Sequence, residues 1–143
     1  IGPGQNLGFV TSDLAHKLAQ LPADGSRPLE TGPLTARRRF LDVRDAVRLF
    51  SLILESAAPA GLDVVNIASP FEMPIQEIVE KLVRVSGKKV SIQSQKHTDN
   101  PFQGLQISLK KLHRLTPGFS YLSPDQTVHD IWNAVLEGKP RGR

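Results

Sequence analysis

The sequence predicts a single α/β domain over residues 1–143, with about four helices and a few short strands. A chain of 143 residues that is 39% apolar and 22% charged has the composition of a folded domain with one core. Apolar residues recur at helical spacing in four segments, and each segment begins with a capping signal. The apolar segments between them have the length of strands, but they are too few and too widely separated to form a full sheet.

The first two predicted helices lie in the N-terminal third of the chain. The first covers residues 12–21, with Thr11 or Ser12 as its N-cap. The second follows Asp42, whose carboxylate is expected to accept a hydrogen bond from the amide of Asp45. Five apolar residues line one face of this second helix: Val43, Ala46, Val47, Phe50 and Leu54.

The third and fourth predicted helices have clear signals at both ends. The third begins at Pro74 and ends at Gly87, because proline suits a first helical turn and glycine suits a C-terminal cap. The fourth begins at a capping box that runs from Ser123 to Gln126 and has proline at its first helical position. Gly138 ends this helix.

Four short strands are predicted between the helices, at residues 40–41, 62–67, 90–92 and 105–107. The second of these, LDVVNI, follows a Pro-Ala-Gly turn and has the composition of a mostly buried strand. Two segments rich in turn-forming or polar residues are predicted as loops: residues 23–33 and 93–104.

Charge and composition argue against several classes of protein. The net charge of +4 comes partly from the C-terminal residues Lys139, Arg141 and Arg143, so the rest of the chain is nearly balanced and no nucleic-acid partner is expected. No run of about 20 apolar residues could span a membrane, and there is no cysteine for disulfides, thiolate ligands or nucleophilic catalysis. The opening IGPGQNLGF lacks the features of a secretory signal, so a cytoplasmic location is expected.

No catalytic or metal-binding group of residues is predicted from the motifs. The four histidines share no metal-ligand spacing, and there is no GxSxG nucleophile elbow. The single tyrosine, Tyr121, is followed four residues later by Asp125 rather than by a lysine. The opening GPGQNLG has Leu7 in place of the third glycine of a dinucleotide-binding loop and no preceding strand, which favours an ordinary turn.

The order of four segments carries a resemblance: IGPGQNLGFVTSDLAHKLAQ, then GPLTARRRFLDVRDAVRLF, then DVVNIAS, then DNPFQGLQISLKKL. Together they resemble the C-terminal half of extended short-chain dehydrogenases/reductases, the NAD-dependent epimerase/dehydratase family, that act on nucleotide sugars. The most similar branch comprises the GDP-mannose 4,6-dehydratases and GDP-4-keto-6-deoxymannose reductases. The RRRFLDVRDAV segment is the most specific part of the resemblance.

This resemblance implies a C-terminal substrate-binding lobe that lacks most of the Rossmann sheet. A catalytic tyrosine-lysine pair and a glycine-rich cofactor loop would then lie upstream, so this chain would carry no catalytic residue and would hold only the last strand segments of a cofactor domain. NAD or NADP would be bound mainly by those upstream residues, and none is expected on this chain alone. A homodimer of the full-length enzyme is compatible with the resemblance.

The resemblance assigns the middle arginine, Arg38, to the pyrophosphate of the sugar nucleotide. A guanidinium suits this role because its planar fork can bond two phosphate oxygens and keeps its charge. Strand alternation places Arg38 and Phe40 on one face, with Arg37 and Arg39 on the other. Arg38 is therefore expected to face a pocket, and its neighbours to face water or acidic partners; the alternative is that all three are solvated.

Five further residues are assigned by the same resemblance. Phe9 and Val10 correspond to a loop that covers the nucleotide, and Leu34 corresponds to an apolar residue beside its base. The alternative for Leu34 is an ordinary anchor between loop and core. Lys96 is expected to attract a phosphate and Asp99 to accept hydrogen bonds from ribose hydroxyls, whereas the alternative for both is an exposed polar loop.

The chain departs from the pattern of this family at three of these positions. Pro33 replaces an asparagine, Arg39 replaces an acidic residue, and Lys96 replaces an arginine. Proline removes a side-chain amide and a backbone donor, and lysine loses the bidentate geometry of arginine. A GDP-sugar is the favoured ligand, and these departures leave open a different nucleotide sugar or a weakened site.

Three functions remain open at this point. The leading one is the nucleotide-sugar-binding part of an NAD(P)-dependent reductase, dehydratase or epimerase, whose isolated lobe would not turn over. The second is a non-catalytic binding or scaffold module derived from the same family. The third, a nucleic-acid binder that uses Arg37 to Arg39, is disfavoured by the balanced charge of the rest of the chain.

Overall fold

The computed structural model describes residues 1–56, 64–95 and 106–138. Over these ranges the chain has a mixed α/β architecture with five helices and four short strands. The helices are α1 (Val10–Gln20), α2 (Val43–Glu55), α3 (Ile75–Ser86), α4 (Lys110–Leu115) and α5 (Pro124–Leu136). The strands are β1 (Leu29–Thr31), β2 (Arg37–Arg39), β3 (Glu72–Pro74) and β4 (Ile92–Ser94). Among the described helices, none has the length and apolar character that crossing a membrane requires.

The hydrophobic core lies where α1, α3 and α5 pack against one another. Each of these helices buries the face that its apolar spacing creates, and burial of each large aliphatic side chain stabilises the fold by about 1.5–3 kcal/mol. The buried core residues of the three helices are Leu14, Ala15, Leu18, Ile78, Val79, Leu82, Val128, Ile131 and Trp132. Leu29, Phe40 and Met73 complete this core from β1, the residue after β2, and β3.

The four strands form two separate pairs. β1 pairs with β4 in parallel, with Thr31 opposite Ser94. β2 pairs with β3 in antiparallel fashion, with Arg38 opposite Met73 and Arg39 opposite Glu72. Because β1 and β4 run in the same direction, their carboxyl ends meet at one edge of the pair.

The start of α1 differs from the prediction. The helix begins at Val10 with Phe9 as its N-cap, and no side chain caps it. Thr11 and Ser12 lie inside the first turn, where the Thr11 hydroxyl donates to Gln5 Oε1 (3.0 Å) and the Ser12 hydroxyl donates to the Gln5 carbonyl (2.8 Å). The prediction that either residue caps α1 is wrong, because both hydroxyls tie the helix to the preceding turn instead.

The predicted cap of α2 is confirmed with one change of partner. Asp42 is the N-cap, but its Oδ1 accepts from the amide of Arg44 (2.8 Å) rather than from that of Asp45. The Asp45 carboxylate is buried, and it accepts from the backbone amide of Leu122 (2.9 Å) and from Arg48 Nη1 (3.0 Å). The Asp45 carboxylate therefore joins α2 to the segment before α5, while the amide that Asp42 caps is that of Arg44.

The C-terminal signal of α3 and the capping box of α5 are confirmed, whereas Pro74 is the N-cap of α3 and not its first helical residue. α3 ends at Gly87, which adopts a left-handed conformation with φ of 64° that few other residues tolerate. The Ser123 hydroxyl accepts from the amide of Gln126 (3.2 Å), and Pro124 occupies the first turn of α5. The six-residue helix α4 was not predicted, because a segment this short shows too little periodicity.

The strand predictions are mostly displaced. Strand β2 covers Arg37–Arg39, whereas the prediction was 40–41. Strand β4 shares only Ile92 with the strand predicted at 90–92. Strand β1 lies in the segment 23–33, which was predicted as a loop. Residues 64–67 and 106–107 form no strand, while Leu62, Asp63 and Leu105 lie outside the described residues.

Backbone groups of these two displaced segments bond to side chains instead of to a strand. Lys111 Nζ donates to the carbonyl of Val64 (2.9 Å), and Asn66 Nδ2 donates to the carbonyl of Ser108 (3.3 Å). A strand needs a neighbour that accepts its ladder of hydrogen bonds, and the described part of the chain offers these segments none. Composition alone does not reveal whether such a neighbour exists.

The apolar face predicted for α2 points away from the core. The buried residues of this helix are Asp45 and Leu49, on the opposite side. Four apolar residues, which we call the α2 stripe, are instead at least half exposed: Val43 (50%), Val47 (58%), Phe50 (54%) and Leu54 (84%). This helix is amphipathic as predicted, but nothing in the described chain covers its apolar side.

The C-terminal end of α1 is held by one lysine from the turn after α3. Lys88 Nζ donates to the carbonyls of Leu18 (2.8 Å), Ala19 (2.9 Å) and Leu21 (2.6 Å). The last carbonyls of a helix have no partner within it, and a cation there also offsets the negative end of the helix dipole. Lys88 therefore joins α1 to α3 and completes the hydrogen bonding of α1.

Replacing Lys88 by methionine should lower the free energy of unfolding by about 1.5–3 kcal/mol, since three charge-assisted hydrogen bonds are lost. Lys89→Met is the matched control, because Lys89 is exposed and should change stability by less than about 0.5 kcal/mol. Urea unfolding followed by the fluorescence of Trp132 measures both. Equal stabilities of the two variants would contradict the role assigned to Lys88.

The carboxylates that join α2 to α5 should make stability depend on acid pH. Burial alone would raise the pKa of Asp42, but hydrogen bonds from Arg44 and Thr127 outweigh burial and lower that pKa. The pKa of Asp130 is likewise lowered, because hydrogen bonds from Arg44 and Gln126 outweigh burial. Both pKa values lie below those of the unfolded chain, which are near 4. The two carboxylates therefore stabilise the fold fully above about pH 5. That stabilisation is lost as the pH falls through the lowered pKa values.

Asp42→Asn should therefore be less stable than the wild type at neutral pH, and its stability should decline less steeply between about pH 5 and pH 2. Thermal unfolding midpoints across this pH range test the expectation. Glu55→Gln serves as a control, because Glu55 is exposed and should follow the wild-type curve. A slope for Asp42→Asn equal to that of the wild type would show that Asp42 is not responsible.

Candidate functional site

The three consecutive arginines of β2 are divided between two sides of the strand. Because β2 pairs with β3, Glu72 lies opposite Arg39 and next to Arg37. Arg39 Nη2 lies 3.1 Å from Glu72 Oε2, and Arg37 Nε lies 3.4 Å from Glu72 Oε1. Arg39 Nη1 also donates to the carbonyls of Ser69 (3.1 Å) and Pro70 (3.2 Å). Two of the three arginines thus share one acidic partner, on the side where alternation places them.

Arg38 projects from the other side of the strand and is exposed. Its Nη1 donates to the carbonyl of Arg37 (2.7 Å), and within the described ranges no carboxylate pairs with it. An exposed guanidinium without an acidic partner keeps its charge and most of its donors available to an anion. Arg38 is therefore the arginine of this strand that can bind a phosphate without first breaking an ion pair.

The predicted pairing of Arg38 with Phe40 on one pocket-facing side is not seen. Phe40 is 9% exposed and belongs to the core, whereas Arg38 lies at the surface. The strand ends at Arg39, so the alternation does not continue to Phe40. Arg38 also lines none of the three cavities described below.

The loop before β2 is held firmly against α3. The carbonyl of Leu34 accepts from the amide of Gln76 (3.0 Å), and the carbonyl of Ala36 accepts from the amide of Ile75 (3.0 Å). These bonds satisfy amides in the first turn of α3, which have no partner inside the helix. The Leu34 side chain is partly buried against the core. Leu34 therefore anchors the loop, and its place beside a nucleotide base stays a prediction.

A cavity of about 390 Å³ lies at the carboxyl ends of β1 and β4. Ligands of α/β folds bind at the carboxyl ends of parallel strands, where side chains from separate segments converge. The polar residues that line this cavity come from α1, β1 and β4: Lys17, Glu30, Thr31, Gln93, Ser94 and Gln95. Sequence reasoning missed these residues, because β1 was predicted as a loop and they come from three separate parts of the chain.

One residue of this cavity has an incomplete set of hydrogen bonds. Thr31 is 4% exposed, and its Oγ1 is buried with no hydrogen-bond partner in the described part of the chain. The backbone around it is satisfied, since the carbonyl of Thr31 accepts from the amide of Gln95 (3.0 Å). The strand itself is therefore regular, and the unpaired group is the side-chain hydroxyl.

The opening GPGQNLG forms turns, as the sequence favoured, and leads into α1. Gly4 and Gly8 have positive φ angles of 78° and 98°. The amide of Gly8 donates to Asp13 Oδ1 (2.8 Å). A Cβ at Gly2 would lie 2.6 Å from Val43 Cγ1, so glycine is needed there for close packing on α2.

Two further cavities border this opening segment, one of about 300 Å³ beside Val43 and one of about 120 Å³ beside Ser12 and His16. Phe9 lies at the start of α1 and is 56% exposed, while Val10 is partly buried against the core. Neither residue lines a described cavity, so their role over a nucleotide stays a prediction.

Two predicted site residues, Lys96 and Asp99, lie outside the described residues. The last described residue before them is Gln95, which lines the cavity of about 390 Å³. Within the described ranges, no group of three or more His, Asp or Glu residues could hold a metal ion.

Sequence comparison relates the chain to one kind of enzyme. No protein-family model matches it. The GDP-6-deoxy-D-mannose reductase of Pseudomonas aeruginosa is 33% identical over 93 residues, which are 64% of this chain and 30% of that protein. The chain therefore spans less than a third of this relative in the matched region.

Three solved structures share the fold. RMD from Pseudomonas aeruginosa, complexed with NADPH, matches with a TM-score of 0.79 and 23% identity over 96% of this chain and 46% of its own. A GDP-L-fucose synthetase from Naegleria fowleri bound to NADP matches with a TM-score of 0.83 and 20% identity. The match covers 99% of this chain and 45% of that one. UDP-glucuronic acid 4-epimerase from Bacillus cereus, in complex with UDP-glucuronic acid and NAD, matches with a TM-score of 0.79 and 20% identity. The match covers 96% of this chain and 42% of that one.

The fold is that of part of an extended short-chain dehydrogenase/reductase. The resemblance carried by the four sequence segments is confirmed, and so is the α/β fold class. The chain spans less than half the length of each of these three structures.

Proposed function

We propose that this chain is the nucleotide-sugar-binding lobe of an NAD(P)-dependent reductase, dehydratase or epimerase, with a GDP-sugar as the preferred ligand. The observation that carries the proposal is Arg38, whose guanidinium has no carboxylate partner although Glu72 pairs with the arginine on either side of it. A planar guanidinium that keeps its charge is the side chain best suited to two phosphate oxygens. The similarity to a GDP-6-deoxy-D-mannose reductase supports a GDP-sugar.

The lobe contributes binding and orientation rather than chemistry. A nicotinamide cofactor, when bound, supplies hydride transfer in enzymes of this class. Arg38 holds the diphosphate, which does not react, and the binding energy released there orients the sugar for the reacting groups. Leu34, Phe9 and Val10 border the nucleotide in this proposal, while Lys96 and Asp99 provide further polar contacts.

The cofactor itself is bound mainly by residues outside this chain. A pyrophosphate-binding turn needs a strand before it and free amides at the start of a helix. Here the amide of Gly8 already donates to Asp13 Oδ1 (2.8 Å). That amide is therefore not available to a pyrophosphate.

The α2 stripe supports the proposal that the lobe is one part of a larger protein. A helix with an apolar face normally packs against a sheet or another helix, and Leu54 of this stripe is 84% exposed. Residues 64–67 have the composition of a buried strand but no strand partner in the described chain. A cofactor domain with a β-sheet would cover both. A cytoplasmic location and a homodimer of the full-length enzyme belong to the same proposal.

A second candidate, a binding module without turnover, is favoured by one observation. The chain has a single tyrosine, Tyr121, and Asp125 rather than a lysine follows it four residues later. The described residues thus offer no tyrosine-lysine pair for proton transfer. The two candidates share the ligand and differ only in whether a reaction follows binding.

The affinity of the purified chain for GDP-mannose should fall by about 10- to 100-fold in Arg38→Ala, because a charge-assisted contact to phosphate is worth about 1.5–3 kcal/mol. Arg37→Ala is the matched control, since Arg37 is also exposed but pairs with Glu72, and its dissociation constant should stay within about twofold of the wild type. Titration calorimetry measures both. If Arg38→Ala bound as tightly as the wild type, Arg38 would not be the diphosphate ligand.

Turnover distinguishes the two candidates. A protein that contains this chain together with a cofactor domain should oxidise NADPH or interconvert nucleotide sugars, and Arg38→Ala should raise the Michaelis constant for the sugar nucleotide more than it lowers kcat. Binding of GDP-mannose without any turnover in that protein would favour the non-catalytic module.

A further inference from the structure

Glu72 of β3 contacts β2 on both sides of Arg38. Its Oε2 lies 3.1 Å from Arg39 Nη2, and its Oε1 lies 3.4 Å from Arg37 Nε. Arg37 Nη2 also donates to the carbonyl of Glu72 (2.9 Å). One residue thus bonds to both neighbours of Arg38. We call the group of Glu72, Arg37 and Arg39 the Glu72 clamp.

The Arg39 half of the Glu72 clamp is the stronger half. The side chains of Arg39 and Glu72 are 24% and 27% exposed, whereas that of Arg37 is 53% exposed. Water screens an exposed ion pair more than a shielded one, so the pair with Arg39 contributes more to fixing the strand. Arg39 Nη1 also donates to the carbonyls of Ser69 (3.1 Å) and Pro70 (3.2 Å), which ties the clamp to the turn before β3.

The strand pair that carries Arg38 is short and is supported on both faces. β2 and β3 share three residue pairs, and a two-stranded ribbon is only marginally stable without side-chain support. Arg38 lies opposite Met73, which is 5% exposed, so the core supports the face of the ribbon to which both residues belong. Alternation places the Glu72 clamp on the other face. The core and the clamp therefore fix the strand from opposite sides.

The direction of the Arg38 side chain depends on this support. Its Nη1 donates to the carbonyl of Arg37 (2.7 Å), a main-chain acceptor whose position follows that of the strand. An arginine loses rotamer freedom when a ligand fixes it, and a backbone that is already ordered lowers the total entropy cost of binding. A strand whose backbone moved would carry the guanidinium of Arg38 away from its ligand.

We propose that Glu72 is a positioning residue for Arg38; this inference rests on the proposed function. By pairing with Arg37 and Arg39, Glu72 keeps β2 against β3 and keeps the two flanking guanidinium groups away from the phosphates. A diphosphate then meets one guanidinium in one orientation, instead of three that compete for it. Glu72 touches no ligand atom and acts through Arg38.

The sign of the effect separates positioning from simple electrostatics. A carboxylate close to a phosphate repels it, so removing the charge of Glu72 would by itself strengthen the binding of an anion. Removing the clamp would weaken binding, because Arg38 would lose its fixed place. The two explanations therefore predict opposite changes in the same dissociation constant.

Glu72→Gln keeps the size of the side chain and removes its charge. We expect its dissociation constant for GDP-mannose, measured by titration calorimetry on the purified chain, to rise by about 3- to 10-fold. Glu80→Gln is the matched control, because it removes the same charge from an exposed residue of α3, and its constant should stay within about twofold of the wild type. In an Arg38→Ala background, Glu72→Gln should cause no further loss, since Glu72 acts through Arg38.

Arg39→Lys is a second variant, and it leaves the net charge unchanged. Lysine lacks the fork that bonds to Glu72 and to the turn at once, so the dissociation constant should rise by about 2- to 5-fold, whereas electrostatics alone predicts no change. Thermal unfolding followed by the fluorescence of Trp132 shows that each variant is folded at the temperature of the titration. The midpoints should fall by less than about 5 °C, because the lost ion pairs are partly exposed.

Two results would overturn this inference alone. Tighter or unchanged binding of GDP-mannose by Glu72→Gln, together with weaker binding by Arg38→Ala, would keep Arg38 as the diphosphate ligand and show that Glu72 does not position it. A loss in Glu72→Gln that is equally large in the Arg38→Ala background would show that Glu72 acts by another route. A wild-type chain that does not bind GDP-mannose, or whose affinity survives Arg38→Ala, would overturn the proposed function as well.

Discussion

The carboxylate of Asp42 joins the start of α2 to the first turn of α5. It caps α2 through the amide of Arg44, accepts two further bonds from the Arg44 guanidinium, and accepts one from the Thr127 hydroxyl of α5 (2.8 Å). Arg44 in turn reaches Asp130 at 2.7 Å. β2 ends three residues before Asp42, so this network lies directly beyond the end of that strand. A buried carboxylate is tolerated here because every one of its bonds comes from a cation, an amide or a hydroxyl.

In β2, one acidic residue on the neighbouring strand gives three arginines different roles. All three arginines have the same side chain, but pairing with β3 brings Glu72 within reach of Arg37 and Arg39. Those two become structural groups that fasten β2 to β3 and to the turn at Ser69 and Pro70. Arg38 is left with only a neighbouring carbonyl. The distinction arises from strand register, which is a tertiary property.

The helices were the most predictable part of the fold, because caps and apolar periodicity are local signals. Asp42, Gly87 and Ser123 mark helix ends as predicted, and Pro74 lies one residue before the start of α3. The start of α1 was missed, because the hydroxyls of Thr11 and Ser12 could cap the helix or bond to Gln5, and tertiary contact decides between the two.

The strands and the cavity were less predictable, because their signals are not local. Segment 64–67 has the composition of a buried strand, yet a strand exists only where another one accepts its hydrogen bonds. β1 lies in a segment rich in Gly, Pro and Ser that was predicted as a loop, so the sequence did not place Thr31 beside the cavity. Identifying Arg38 depended on the family resemblance, since the residues alone favour three solvated arginines.

Glu72 also limits which anions the surface attracts. Three adjacent guanidinium groups without a counter-ion would resemble a short polycation and would bind phosphate chains of any length. With one carboxylate among them, the strand keeps a local charge of two, which equals the charge of a single diphosphate. A long polyanion would therefore gain less from contact with this strand than from three unpaired arginines, and the difference comes from Glu72, a residue that need never touch a ligand.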